Sequence, residues 1–211
     1  SAASDVYKRQ ELYIAFQVLD YALCTAPGAP LKRALLEKGI GTDIYSIYEN
    51  GIKQPYFSIV SKNADEKQEK EFVETVEEVL GKIVKDGFDK KALYAALSHY
   101  EFKYREADFG STPKGLMYGL QMLDSWLYDD AKPFIHVEAN ATFAALKKKV
   151  EEGYFEELVK KYLIENTQKS ILLLLPRKGL TEKSDKELEE KLAAYKAGLT
   201  KEEIAKIIAD S

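Results

Sequence analysis

The chain has 211 residues, 45% of them apolar, which is enough for one sizeable core and an appendage. Its 35 acidic residues nearly balance 31 basic ones, and a net charge of −4 gives no electrostatic reason to expect nucleic acid or a membrane surface as partner. The lone Cys24 excludes an internal disulfide and fits a reducing, cytoplasmic setting.

Residues 1–10 show no pattern that joins them to the rest of the chain and read as a leader. Leu12, Phe16, Leu19 and Leu23 then predict a helix ending near Thr25, broken by Ala26-Pro27-Gly28-Ala29. Cys24 lies inside that apolar pattern, as a small buried hydrophobe rather than a nucleophile. Pro30 opens a short helix with Leu31 and Leu35 on its face and Gly39 as stop signal. Ile44–Glu49 and Tyr56–Ser61 are rich in β-branched and aromatic residues and predict an antiparallel hairpin with a loop longer than two residues. Asn63 with Glu66 is expected to cap the next helix, whose Phe72, Val76, Val79 and Ile83 face inward until Gly87.

Asp89 caps a helix running to about Asp108, with Leu93, Leu97, Tyr100 and Tyr104 on one face and Phe88 and Leu93 as a hydrophobic staple. Thr112 and Pro113 open another, with Leu116, Leu120, Leu123 and Leu127 as its apolar stripe. Residues 131–141 form a connection around Pro133. Phe143, Leu146 and Val150 begin a helix that Gly153 interrupts and Phe155, Leu158, Val159 and Tyr162 resume. Residues 169–178 hold a continuous aliphatic run and predict a strand covered on both faces. Beyond Gly179, Ser184 with Glu187 and Thr200 with Glu203 look like two capping boxes of a helical hairpin turning at Gly198. The longest aliphatic run, Ile171–Leu175, is far short of the ~20 residues of a membrane helix. The economical architecture is α+β, an antiparallel sheet with helices on one face.

Several stretches carry a family resemblance. They are Glu101-Phe102-Lys103-Tyr104-Arg105-Glu106, Gly110-Ser111-Thr112-Pro113-Lys114-Gly115-Leu116 and Trp126-Leu127-Tyr128-Asp129-Asp130, together with Ala29-Pro30-Leu31 through Gly39-Ile40-Gly41 and Gly153-Tyr154-Phe155-Glu156 through Leu163. In this order they resemble the second, non-catalytic domain of the presequence-protease branch of the insulinase-like (pitrilysin) zinc metallopeptidases. The resemblance implies an insulinase-like domain over residues 11–178 and the start of a helical connector over residues 179–211. It also implies a parent that degrades unstructured peptides in a closed chamber, with this part as wall and scaffold. The alternative is a non-catalytic scaffold or substrate-binding subunit serving a separate catalytic chain. The expected partners are the remaining peptidase domains and a peptide substrate, with neither nucleic acid nor membrane.

The family's zinc motif, H-x-x-E-H, needs two histidines four residues apart on a helix. This chain has only His99 and His136, so neither a catalytic nor a metal residue is assigned and no cofactor is expected in it; zinc would belong to the parent. No phosphate-binding glycine loop or nucleophile elbow is present either. The candidate lining of the chamber is Tyr100, Tyr104, Arg105, Glu106, Phe109, Gly110 and Ser111. Glu101, Glu106 and Asp108 read as helix-end charge rather than an acid–base pair.

Overall fold

The computed structural model describes residues 10–107 and 109–210; the expected leader and Asp108 therefore fall outside the described residues, apart from Gln10. The chain divides at Ile171/Leu172 into two compact units. The first opens with helix α1 (Gln10–Asp20), continued as a wider π turn through Thr25. The sequence stripe names Leu12, Phe16, Leu19 and Leu23, but none of residues 10–24 is exposed. Tyr13, Ile14, Ala15, Val18, Ala22 and Cys24 are buried as well. The helix is enclosed because it packs on strand β1 on one side and on two later helices on the other.

Helix α2 (Pro30–Glu37) buries Leu31 and Leu35. Strands β1 (Asp43–Glu49) and β2 (Tyr56–Lys62) pair antiparallel, with Ile44 opposite Ser61 and Tyr48 opposite Phe57. The period-two alternation turns Ile44, Tyr48, Phe57 and Ile59 toward the core, and Tyr56 and Ile47 toward water. Gly41 sits at φ +76°, where a Cβ would stand 2.1 Å from Ser61 Oγ and 2.6 Å from the Lys62 carbonyl oxygen. No side chain fits there.

Helix α3 (Glu69–Asp86) follows a short 3-10 turn. Its box is made by Asp65 and Gln68, not by Asn63 and Glu66. Asn63 instead adopts φ +56° and donates to Thr42 Oγ1 across the end of the hairpin. Helix α4 (Lys90–Glu106) starts as expected, Asp89 Oδ1 accepting from the Lys91 amide at 2.9 Å. Leu93 and Leu97 are fully buried, with Tyr100 and Tyr104 packed at the core margin.

Helix α5 (Lys114–Trp126) is turned the other way from its leucine pattern. Leu116, Leu120, Leu123 and Leu127 are all exposed, while Ser125 is buried and Met117, Tyr118, Gln121 and Asp124 are half-buried. Polar tethers fix that orientation. The Tyr13 hydroxyl donates to Asp124 Oδ2 at 2.8 Å, and Ser125 Oγ donates to the Lys132 carbonyl at 2.8 Å. Helices α6 (Asn140–Lys149) and α7 (Tyr154–Leu158, extended as a π turn to Ile164) complete the unit, separated by Gly153 at φ +74°. Phe143 and Phe155 are fully buried.

The expected strand over residues 169–178 does not form: residues 166–177 belong to neither helix nor strand. A strand needs a neighbour to take its backbone hydrogen bonds, and none is present among the described residues. The architecture is α+β, with a two-stranded sheet and helices packed against it.

The second unit is a helical pair, α8 (Leu180–Gly198) and α9 (Lys201–Asp210). Ser184 is no cap, because α8 already begins behind Gly179 at φ +76°. Thr200 and Glu203 do cap reciprocally, with Thr200 N to Glu203 Oε2 at 2.8 Å and Glu203 N to Thr200 Oγ1 at 3.3 Å.

Candidate functional site

The concave surface of the first unit nearest to a site is a small cleft, about 90 Å³, where the C-terminal half of α4 faces α5. That volume admits the tip of one side chain or a few waters. The helical spacing of α4 puts Tyr100 and Tyr104 on its wall one turn apart, with Lys103 at the rim. The reversed α5 contributes Met117, Tyr118 and Gln121 from its polar side. Phe109 closes the end, meeting Tyr118 edge to face at 5.8 Å. Gln17 forms part of the floor and its amide donates to the Tyr104 hydroxyl at 3.3 Å.

Burial is the main cause of the shifted tyrosines here. It pushes the Tyr104 hydroxyl up to about 12 and raises Tyr100, helped by the Asp20 charge. Both stay protonated donors at neutral pH. The cleft offers ring faces, two amides and one ammonium, but no base or nucleophile.

Of the seven residues expected to line a chamber, the structure brings Tyr100, Tyr104 and Phe109 together in this cleft. Arg105, Glu106, Gly110 and Ser111 are exposed and lie outside it. Arg105 pairs with Glu101 at 2.7 Å, Glu101 also bridges to Lys147 of α6, and the Glu106 carbonyl accepts from Lys114. Glu101 is therefore a strut between α4 and α6 rather than an acid–base partner. Sequence reasoning passes over Gln17 of α1 and Lys103 of α4, which lie off the apolar stripes named for those helices, and misses Met117, Tyr118 and Gln121 because the leucine stripe points to the wrong inward face of α5. The signal that finds them is Asp124 and Ser125, polar residues that need buried partners.

Zinc does not fit the described residues. His136 is fully buried, its ring stacked on Tyr13 at 3.8 Å, and burial pulls its pKa down to about 4. His99 stacks instead on Tyr21 at 4.7 Å. Among the described residues no group of three or more histidines, cysteines or carboxylates is placed to hold a metal ion. Burial also pushes the Cys24 thiol up to about 11, which leaves it a packing residue. No helix among the described residues is long and apolar enough to cross a membrane.

Residues 4–100 match the family model described as the peptidase M16 inactive domain. The chain belongs to this insulinase-like family and carries a non-catalytic domain of it. It is 39% identical to Protein HypA of Clostridium perfringens over 92% of its own length and 20% of that protein. Presequence protease 1, chloroplastic/mitochondrial, of Arabidopsis thaliana is 31% identical over 92% of this chain and 18% of its own. Presequence protease, mitochondrial, of Schizosaccharomyces pombe is 29% identical over 97% of this chain and 20% of its own. The chain thus spans about a fifth of the length of these relatives.

Proposed function

We propose that this chain serves as chamber wall and scaffold for a zinc-dependent peptidase that degrades unstructured peptides. The observation that carries the reading is the aromatic cleft between α4 and α5, which presents Tyr104, Phe109 and Tyr118 together with the amides of Gln17 and Gln121. Rings and amides contact an extended peptide without demanding one sequence, because every peptide offers apolar side chains and backbone hydrogen bonds. The glutamate base and the metal would come from other domains, in keeping with an inactive-domain relative. The setting would be cytoplasmic, where the reduced, buried Cys24 is stable.

The test is peptide binding and cleavage by the purified chain. An unstructured fluorescent peptide should bind weakly and remain intact, and Phe109→Ala or Tyr118→Ala should weaken binding several-fold with the melting curve unchanged. Chelator-sensitive hydrolysis by the chain alone would overturn the reading, as would binding indifferent to both substitutions.

A further inference from the structure

Asn50-Gly51 opens the loop between β1 and β2, directly after Glu49 pairs with Tyr56 at the end of the ladder. Of the chain's four asparagines it alone precedes a glycine, the neighbour that shields its own backbone nitrogen least. Asn63 donates to Thr42, Asn166 accepts from the Gln168 amide and Asn140 begins helix α6. The Asn50 carboxamide makes no hydrogen bond among the described residues and is only half-buried, within reach of water.

Two carboxylates face this dipeptide. Glu49 Oε1 accepts from the Gly51 amide at 3.2 Å, and a Cβ built on Gly51 would stand 3.2 Å from Asp124 Oδ1. The Gly51 nitrogen is the nucleophile in the ring closure open to Asn50, and a nucleophile hydrogen-bonded to a carboxylate has its base in place. We infer that Asn50 is a self-modification site, converted to aspartate and isoaspartate by attack of the Gly51 amide with Glu49 as base. Gly51 N attacks Asn50 Cγ and gives its proton to Glu49, and the new C–N bond closes a succinimide. The proton passes on to Nδ2, the Cγ–Nδ2 bond breaks and ammonia leaves. One water then opens the ring, at the side-chain carbonyl to give aspartate or at the main-chain carbonyl to give isoaspartate; nothing is oxidised or reduced. The product adds a negative charge beside Glu49, whose charge already acts on Asp124, the acceptor that fastens α5 to Tyr13. A third carboxylate at this junction drives the loop and α5 apart. This goes beyond the scaffold reading and does not depend on peptide binding.

Mass spectrometry of the tryptic peptide 39–53 tests it in the purified protein held at neutral pH in heavy-oxygen water, folded and in urea. In the folded protein residue 50 should become acidic at least as fast as in urea, with one heavy oxygen gained per event and label accepted from an isoaspartyl methyltransferase, while Asn63, Asn140 and Asn166 stay amides. Glu49→Gln should slow the reaction several-fold in the folded protein and leave its rate in urea unchanged. Asn50→Asp should lower the urea midpoint, and Asn50→Ser should not. An Asn50 that stays an amide in the folded protein while converting in urea would overturn the inference, as would a folded Glu49→Gln protein that reacts at the wild-type rate. Equal midpoints for Asn50→Asp and Asn50→Ser would overturn the effect on α5. If Glu49→Gln does not fold, the folded and urea rates of the wild type decide.

Discussion

The hydroxyl of Tyr13 donates to Oδ2 of Asp124 at 2.8 Å, joining residues 111 apart in sequence. This bond fastens α5 to the central helix. Tyr13→Phe removes the donor and leaves a half-buried carboxylate short of a partner, so it should cost about 1–3 kcal/mol. Asp124→Asn should cost less, since an amide oxygen still accepts. Burial holds the Asp124 carboxyl above its ordinary range, the Tyr13 bond pulls it back and the Glu49 charge pushes it up. A raised carboxyl binds its proton more tightly in the fold than in the unfolded chain, so its contribution to stability declines as pH rises through the carboxylate range. Urea denaturation of Asp124→Asn at a series of pH values should show that decline removed.

His136 acts in the opposite sense. Its pKa is pulled down to about 4 by burial, so the folded ring is neutral where the unfolded one protonates near 6.5. Stability should therefore fall as pH drops from about 6.5 to about 4, by about 3 kcal/mol in all. The raised carboxyls of Asp20 and Asp124 offset part of this at the acid end. His136→Phe keeps a ring against Tyr13 and should flatten the acid limb of a plot of denaturation midpoint against pH.

Two glycines at positive φ separate conformation from space. A methyl group added at Gly39, at φ +69°, would meet nothing within 4 Å, whereas one at Gly41 meets Ser61 and the Lys62 backbone. Gly39→Ala should cost about 1–2 kcal/mol, the left-handed penalty alone. Gly41→Ala should cost clearly more, because the clash is with a paired strand. Thermal unfolding of both variants measures the difference.

Two leucines on neighbouring helices test the orientation of α5. Leu97 is fully buried and Leu97→Ala should cost about 2–5 kcal/mol. Leu120 is 47% exposed and Leu120→Ala should stay within about 0.5 kcal/mol. A large loss at Leu120 would mean the leucine stripe faces inward after all. Chemical denaturation of the two variants decides it.

Local signals in the sequence carry much of the first unit. The hairpin strands, the Asp89 cap, the buried Leu93 and Leu97, and the break at Gly153 all follow from alternation, capping chemistry or glycine. The inferences that fail are those that need a partner. Leucine spacing cannot say which side of α5 is covered when Asp124 and Ser125 find hydrogen bonds on the other. An aliphatic run cannot become a strand without an edge beside it. In the cleft, Tyr100, Tyr104 and Phe109 are legible from the α4 face and the turn after it, while Tyr118 and Gln121 are hidden behind the same misread helix.

The enclosure of α1 has a bearing on how the chain comes off the ribosome. Its Gln10 accepts from Thr142 and its Glu11 pairs with Lys149, so its final surroundings are supplied by residues made more than a hundred positions later. A helix with no fully exposed residue has little to gain from settling early. The oldest part of the unit is obliged to wait for the youngest, and long-range closure of this kind folds slowly and leaves apolar surface open to chaperones meanwhile.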